Sequence, residues 1–476
     1  MSNNQILVEN QRGVEEVSFA GTNHIETPVY SPEIKSAEDV WVLLKHHEAL
    51  DDGAPIVVPA NTWRTIRSQP KFNDYRSNIE RLVRRHPTLY RSPVELFRYR
   101  RPKKLVTYGL GDASSRTFYK KLREEKYDAA LDLLPEFVQP FVEIQMERLL
   151  EVKGYDIPER YDGTLRTTSE AWTDDRANKG WPNYFAEIAK DAQRSPNAGV
   201  IPPVPVVTSS SKEYAIERTI GANHGMVRVC REVNEGRFGS AVYPYLHIYA
   251  DYSILKNSSD NDRLILDHAR QEIKNREEES SFTTAGAGVG YQGVVLSMTN
   301  LSSVWAKNAT VRLQRFVENL STIARSHNLP VMMPRSNWYG LYLTDFGVQS
   351  FSSLLNGNET YSQGGSGINA AAKYGKTPLY GAAVHPGVDD AFAMLRNTGG
   401  EVHPVSGLPS KPPTFDPAGD EWSEKLGDPR EYRREFGKPR RLIHAQEARE
   451  VRSGMADGVH RPAREYLQKS ENNDFS

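Results

Sequence analysis

Residues Gly286–Asn300 read GAGVGYQGVVLSMTN, and the order of their parts decides the fold. Gly288, Gly290 and Gly293 have the G-x-G-x-x-G spacing of a dinucleotide-binding turn. Such a turn works because a strand enters it and a helix leaves it, so that the helix N-terminus meets a pyrophosphate. Here the order is reversed. The helical pattern DNDRLILDHARQEIKNREEE precedes the glycines and the strand pattern VVLSMTN follows them. In a (β/α) barrel, such a helix-to-strand connection lies on the face away from the usual site. The expectation is that Gly288 and Gly290 sit opposite the mouth and bind no dinucleotide, and no other cofactor is indicated.

Outward from this stretch, short apolar runs alternate with amphipathic segments of ten or more residues, the pattern of a parallel sheet buried on both faces. The strand candidates are Val29 to Ile34, Pro55 to Ala60, Leu105 to Gly111, Val204 to Thr208, Met226 to Cys230, Leu246 to Tyr252, Val294 to Thr299 and Leu341 to Phe346. Eight is the number that closes a barrel. The fold class expected is α/β, a (β/α)8 TIM-like barrel with a helical insertion and a charged C-terminal tail. The corresponding divisions are an N-terminal extension (1–26), the first part of the barrel (27–112), a mostly helical insertion (113–200), the second part of the barrel (201–400), and a Pro-rich linker with a solvated, Arg- and Glu-rich tail (401–476). Ser36 and Asp39 read as a capping box at the start of the first helix.

The bulk composition narrows the function classes. The 476 residues are 38% hydrophobic, ample for a buried core. A net charge of -1 gives no global field toward nucleic acid or an anionic membrane, so any such binding must be local. No stretch approaches the roughly 18 uninterrupted apolar residues of a membrane helix, and the N-terminus lacks a secretory pattern. One cysteine, Cys230, excludes an internal disulfide framework and a thiolate zinc site. These features predict a soluble, cytoplasmic protein.

Other motifs fail on context. Asp345-Phe346-Gly347 spells the kinase D-F-G, but no H-R-D loop or V-A-I-K strand accompanies it. Gly375-Lys376-Thr377 imitates the end of a P-loop, yet Ala370 stands where the first glycine belongs. His46 and His47 are adjacent on one helix and point about 100° apart, which does not suit shared coordination. No metal site is expected. FRYRRPKK, Phe97 to Lys104, interleaves aromatic and cationic side chains, a mixture that neutralises phosphates and stacks on bases. Arg98, Arg100, Arg101, Lys103 and Lys104 would be the contacts with nucleic acid, and a solvated surface segment is the plainer alternative.

Position is a better guide than motif. Polar residues at the carboxyl ends of barrel strands face the mouth, where substrates bind. Lys35, Asp251 and Asp345 are the catalytic candidates on this ground, and Asn61, Ser209, Arg228 and Asn300 the substrate-binding ones. Cations and carboxylates converging there would bind a small anion and exchange protons. Closure would bring the first and last strands together, so Lys35 and Asp345 are expected to approach most closely.

Tyr30-x-Pro32-x-x-Lys35 with its following helix, then Pro55-Ile56-Val57-Val58, resembles the opening of the Beta protein family of phages and bacteria. The succession VIPPVPVV, MVRVC, LHIYADY and LTDFG is similar to that family's order of strands, with a basic residue after one strand, an acid after the next and an Asp near the last. The chain departs from the family pattern at Val58 to Asn61, which carries no acid, and in its Gly-rich ending. The resemblance implies a barrel and a mobile-element setting, and no activity. Two functions follow as expectations: an enzyme acting on a phosphate-bearing or nucleotide-like substrate, or a non-catalytic phage- or defence-associated protein that binds nucleic acid or a protein partner.

Overall fold

The computed structural model describes residues 15–22, 24–60, 62–63, 73–91, 102–153, 175–236, 240–256, 259–281, 290–299, 301, 310–355 and 433–453. An antiparallel pair, β1 (Glu15–Val17) and β2 (Ile25–Thr27), precedes β3 (Val29–Tyr30) and helix α1 (Ala37–Lys45). The capping box is present: Ser36 Oγ accepts from the Asp39 N–H, and the Asp39 carboxylate accepts from Ser36 N. There follow β4 (Ile56–Pro59), α2 (Asn73–Arg85) and β5 (Thr88–Arg91).

Among the described residues, four helices separate β5 from the next strand: α3 (Pro102–Arg123), α4 (Tyr127–Leu131), α5 (Gln139–Lys153) and α6 (Asp175–Ala192). They pack through an aromatic cluster in which Phe141 and Trp181 lie 4.5 Å apart and Trp181 stacks on Phe185 at 5.5 Å. The chain continues through β6 (Ala198–Ile201), α7 (Glu213–Gly221), α8 (Asn223–Glu235), β7 (Val242–Pro244), β8 (Leu246–Asp251), α9 (Asn261–Ser281) and β9 (Val294–Thr299). The remaining described elements are α10 (Thr310–Arg325), β10 (Val331–Met333), α11 (Asn337–Tyr342), β11 (Ser350–Phe351) and α12 (Ile443–Arg452).

Two parallel sheets result, ordered β4-β5-β6-β7 and β3-β11-β10-β9-β8. They adjoin at both edges. Glu33 bridges Val57 of β4 and Leu354 beyond β11, with Ile34 N donating to Val57 O at 2.9 Å and Val57 N to Pro32 O at 3.0 Å. At the other edges only Tyr245 separates β7 from β8, and Val207, past the end of β6, bridges Ala250 of β8.

Alternation along the strands sorts the side chains into two sets. Tyr30, Val58, Tyr90, Val200, Leu246, Ile248, Val294, Leu296, Val331 and Phe351 join one large apolar cluster with the helices. Each such side chain, fully buried, contributes on the order of 1.5–3 kcal/mol. The opposite face carries a second, small cluster of Val57, Leu89, Ile201, Tyr245, Val295 and Met332, closed by Ala20 from the β1–β2 connection, whose N–H donates to Tyr245 Oη at 3.0 Å. Farther toward the carboxyl ends, that same face becomes polar: Ser31, Glu33, Arg91, His247, Asp251, Ser297 and Thr299 are all buried.

Several expectations need correction. Leu105 to Gly111 is not a strand but part of α3, which kinks at Gly111, and Gly109 packs so closely on Val138 that a Cβ would lie 2.7 Å from it. The strand in this part of the chain is β5, just before it. Met226 to Cys230 is helical, since Met226, Val227, Val229 and Cys230 are the buried stripe of α8 at the 3.6-residue period. Leu341 to Phe346 is the end of α11 and a 3-10 turn stopped by Gly347 at φ 98°, with β11 only after it. Val204 to Thr208 contributes the single bridge at Val207, and its strand lies earlier, at β6. Val294 to Thr299, Leu246 to Asp251, Ile56 to Pro59 and Val29 to Tyr30 are strands. The sheets are open by their hydrogen-bonded order, so a complete eight-stranded barrel goes beyond what they establish.

The tail differs most. Its residues 433–453 are not a solvated appendage: Leu442, Ile443, His444, Ala445 and Ala448 are buried, and α12 packs on β3 and α11. His444 lies 5.4 Å from the Tyr30 ring and 6.2 Å from that of Phe351. Charged groups fix both ends. Lys438 Nζ bonds Asp39 and Glu38, each at 2.6 Å, and Arg449 and Arg452 hold Asp51 at 2.6 and 3.0 Å. The arginines that make the tail look solvated are its attachment points.

Candidate functional site

At the carboxyl ends of the strands, two arginines converge on one carboxylate. Arg91 closes β5 and its Nη2 donates to Glu33 Oε1 at 2.6 Å, both side chains being 0% exposed. Arg335, two residues beyond β10, donates from Nη2 to Glu33 Oε1 at 2.6 Å and from Nε to Oε2 at 2.9 Å. The second contact is the bidentate fork that guanidinium geometry favours. Glu33 itself is fixed through its backbone, with its N–H on Ser353 O at 2.9 Å.

Arg335 differs from Arg91 in two respects. Its side chain is 15% exposed, so it reaches the surface of the cluster. Its backbone sits at φ 53°, the left-handed region that costs a non-glycine residue roughly 1–2 kcal/mol. The Arg335 N–H, donating to Ser352 Oγ at 2.9 Å, helps hold that conformation. Non-glycine residues in such conformations cluster at ligand sites, where the surrounding structure over-determines them.

A second polar group lies on β8 and β9. Asp251 accepts from the Ser253 N–H at 3.0 Å and from Thr299 Oγ1 at 2.5 Å. The first contact caps the 3-10 turn Tyr252–Leu255. His247 Nδ1 lies 2.6 Å from Pro202 O, and Nε2 lies 2.9 Å from Ser297 Oγ. A carbonyl can only accept, so Nδ1 carries a proton, and a neutral ring then accepts from the serine. The imidazole stacks on Tyr249 at 6.0 Å.

The sequence-derived candidates are dispersed. Asp251 is buried at the end of β8. Lys35 lies past the end of β3 but is exposed, and its backbone N–H is spent on the Asp39 carboxylate. Asp345 precedes β11, which runs parallel to β3, so Lys35 and Asp345 occupy opposite ends of the sheet and do not meet. The reason is local: LTDFG is a helical turn leading into a strand, not a strand leading out. Arg228 is on α8, where it pairs with Glu232 at 3.2 Å, far exposed on the helix surface. Ser209 is an exposed turn residue. Asn61, Asn300, Arg98, Arg100 and Arg101 lie outside the described residues, as do the side chains of Lys103 and Lys104 on α3.

Glu33, Arg91 and Arg335 were not among those candidates. Glu33 stands two residues before Lys35 at the same strand parity, and Arg335 follows the short apolar run VMM and a proline. Arg91 ends a four-residue strand between Pro87 and Pro93, too short to register as a period-2 pattern. Among the described residues no group of three or more His, Cys, Asp or Glu side chains could hold a metal ion. None of the described helices is long and apolar enough to cross a membrane. No protein-family model matches the chain, and no curated protein sequence matches it.

Proposed function

We propose that the nine parallel strands, with β7 and β8 forming one continuous segment and so eight in all, close into a (β/α)8 barrel whose mouth binds a small phosphate-bearing ligand through Arg335. Three features support closure: the bridges from Glu33 to Val57 of β4 in one sheet and to Leu354 beyond β11 in the other, the Val207 bridge to β8, and the division of strand side chains into an outer cluster against the helices and an inner one. The likeness to the Beta protein family at Tyr30-x-Pro32-x-x-Lys35 is consistent with it, although its MVRVC and LTDFG pieces are helical.

The observation that carries the binding reading is the two-to-one meeting of guanidinium groups on Glu33 at the strand ends. In this reading Arg91 neutralises the buried Glu33, Glu33 orients Arg335, and the partly exposed Arg335 guanidinium, the second positive charge on one carboxylate, attracts an anion. Asp251, on strand β8, is the carboxylate that would exchange a proton with the bound molecule. Burial of the only cysteine and the absence of apolar spanning helices among the described residues fit a cytoplasmic setting.

The test is calorimetric titration with inorganic phosphate, pyrophosphate and a nucleoside monophosphate, on the native chain and on Arg335→Gln. Saturable binding, weakened at least about tenfold by the variant, is expected for loss of a charge-assisted contact. Failure of all three compounds to bind, or equal binding by the variant, would refute the reading.

A further inference from the structure

The segment that carries α12 returns from far along the chain and grips both backbone stretches beside Glu33. Lys438, 3% exposed, places its ammonium on Asp39 Oδ1 and Glu38 Oε2 at 2.6 Å each, and on Ser36 Oγ at 3.4 Å. The other oxygen of Asp39 accepts from the N–H groups of Lys35 and Ser36 at 2.8 and 2.9 Å. One buried carboxylate therefore ties Lys438 to the turn that begins two residues after Glu33. Three residues on, Arg441, 1% exposed, donates to Leu354 O at 3.4 Å, and Leu354 is the bridge partner of Glu33 on the β11 side. Both strands that position the Glu33 carboxylate are thus held from outside by one short stretch, Lys438 to Arg441. At the far end of α12, Arg449 and Arg452 hold Asp51, which precedes β4 and lies away from the strand ends.

We infer that Lys438 is a positioning residue for the Glu33–Arg335 anion site, acting through Asp39 and the Lys35–Ser36 turn. The inference rests on the binding reading above for its ligand, but its mechanical part does not. An ammonium buried against two carboxylates and a hydroxyl fixes the turn more narrowly than the capping box alone, because it immobilises the side chain on which the capping box depends. Without it, Asp39 is free to turn toward solvent, the Lys35 and Ser36 amides lose their acceptor, and the end of β3 loosens.

The experiment compares the full chain with Lys438→Met and with Arg449→Gln, the latter breaking a pair on α12, in the same C-terminal segment but remote from Glu33. Three quantities are read: melting temperature, amide hydrogen exchange of peptides covering 33–39 and 350–355, and affinity for inorganic phosphate. Both variants are expected to melt earlier. Only Lys438→Met is expected to speed exchange in 33–39 and to weaken phosphate binding by about tenfold, the lower end of what loss of an orienting partner costs a metal ligand. If Lys438→Met fails to fold, Glu38→Gln removes one negative charge beside the Lys438 ammonium at the partly exposed side and should give a smaller change in the same direction. Exchange in 33–39 and affinity both unchanged, with only the melting temperature lowered, would overturn the inference. A native chain that binds no phosphate would refute the anion reading instead, and the exchange comparison would still decide whether Lys438 positions the turn.

Discussion

Glu33 and Arg335, 302 residues apart in sequence, meet through two hydrogen bonds of 2.6 and 2.9 Å, while Arg91 holds the same carboxylate from the other sheet. All of the Glu33 and Arg91 side chains and most of Arg335 are out of solvent. Burying a charge is costly, and the cost is offset only while its partners remain.

The first prediction concerns this cluster as a structural element. Glu33→Gln removes a counter-charge from a fully buried guanidinium and should destabilise the chain by about 3–5 kcal/mol. Urea denaturation measures it. A loss below about 1 kcal/mol, typical of a solvent-screened pair, would mean that the cluster is wet and open.

Arg335 separates strain from binding. Arg335→Gly removes the ion pair but also the left-handed strain at φ 53°. These effects oppose one another, but strain relief of roughly 1–2 kcal/mol offsets only part of the loss of a largely buried pair, so the variant should lose less stability than Glu33→Gln. Phosphate affinity should nevertheless be lost. A variant that is much less stable, yet binds phosphate as before, would make Arg335 a structural residue only.

The strands legible from sequence were those with long, uninterrupted apolar runs. VVLSMT supplies six consecutive buried residues, and LHIYAD six more, so both announce themselves. TLYR, AGVI and SF are two to four residues long and carry too little pattern to be told from a loop. MVRVC has the look of a strand because a helix stripe at i, i+1, i+3 and i+4 mimics an apolar run over a window of five residues. The site was hidden for a related reason. Strand ends are where parity arguments act, and reading Met226 to Cys230 and Leu341 to Phe346 as strands puts two expected mouth residues where the structure has a helix, Arg228, or the opposite end of the sheet, Asp345. The tail's docking is invisible locally, because Lys438 and Arg449 look solvated until Asp39 and Asp51 are brought to them.

The glycines of GAGVGYQG make a test of their own. A Cβ on Gly290 would meet nothing within 4 Å, whereas one on Gly293 would lie 2.7 Å from the Tyr245 ring and 3.0 Å from Pro330 O. Gly290 lies on the amino-end side of β9, and the glycine that matters is one that a strand packs against. Gly290→Ala should change stability by less than about 0.5 kcal/mol, and Gly293→Ala should cost about 1–3 kcal/mol. Saturable NAD binding abolished by Gly290→Val would contradict this and restore a dinucleotide role.

Cys230 is the chain's only cysteine and lies fully buried in α8, where burial pushes its thiol pKa well up. The thiolate is the reactive form, so the native protein should resist iodoacetamide near neutral pH and react in step with unfolding. Rapid alkylation without loss of helical signal would show that α8 opens on its own.

Stability should also carry an acid limb traceable to His86. Its Nδ1 donates to Ala54 O at 3.0 Å beside β4, and burial lowers its pKa below the ordinary 6.5, with the Ala54 bond and Asp52 partly opposing that shift. The folded state therefore prefers the neutral ring, and below 6.5 the unfolded chain binds the proton more readily. The contribution is fully present above the unfolded pKa and is lost as pH falls from there through the lower, folded value. A single proton limits the slope to about 1.4 kcal/mol per pH unit. Other groups titrate over the same range, so the informative quantity is the difference between the native chain and His86→Gln in urea melts at successive pH values. That difference should shrink as the solution is acidified from pH 7 toward about pH 5, because only the native chain has a buried imidazole to lose. A difference that stays constant, or grows on acidification, would mean that His86 is charged in the folded protein and that Asp52, not burial, governs it.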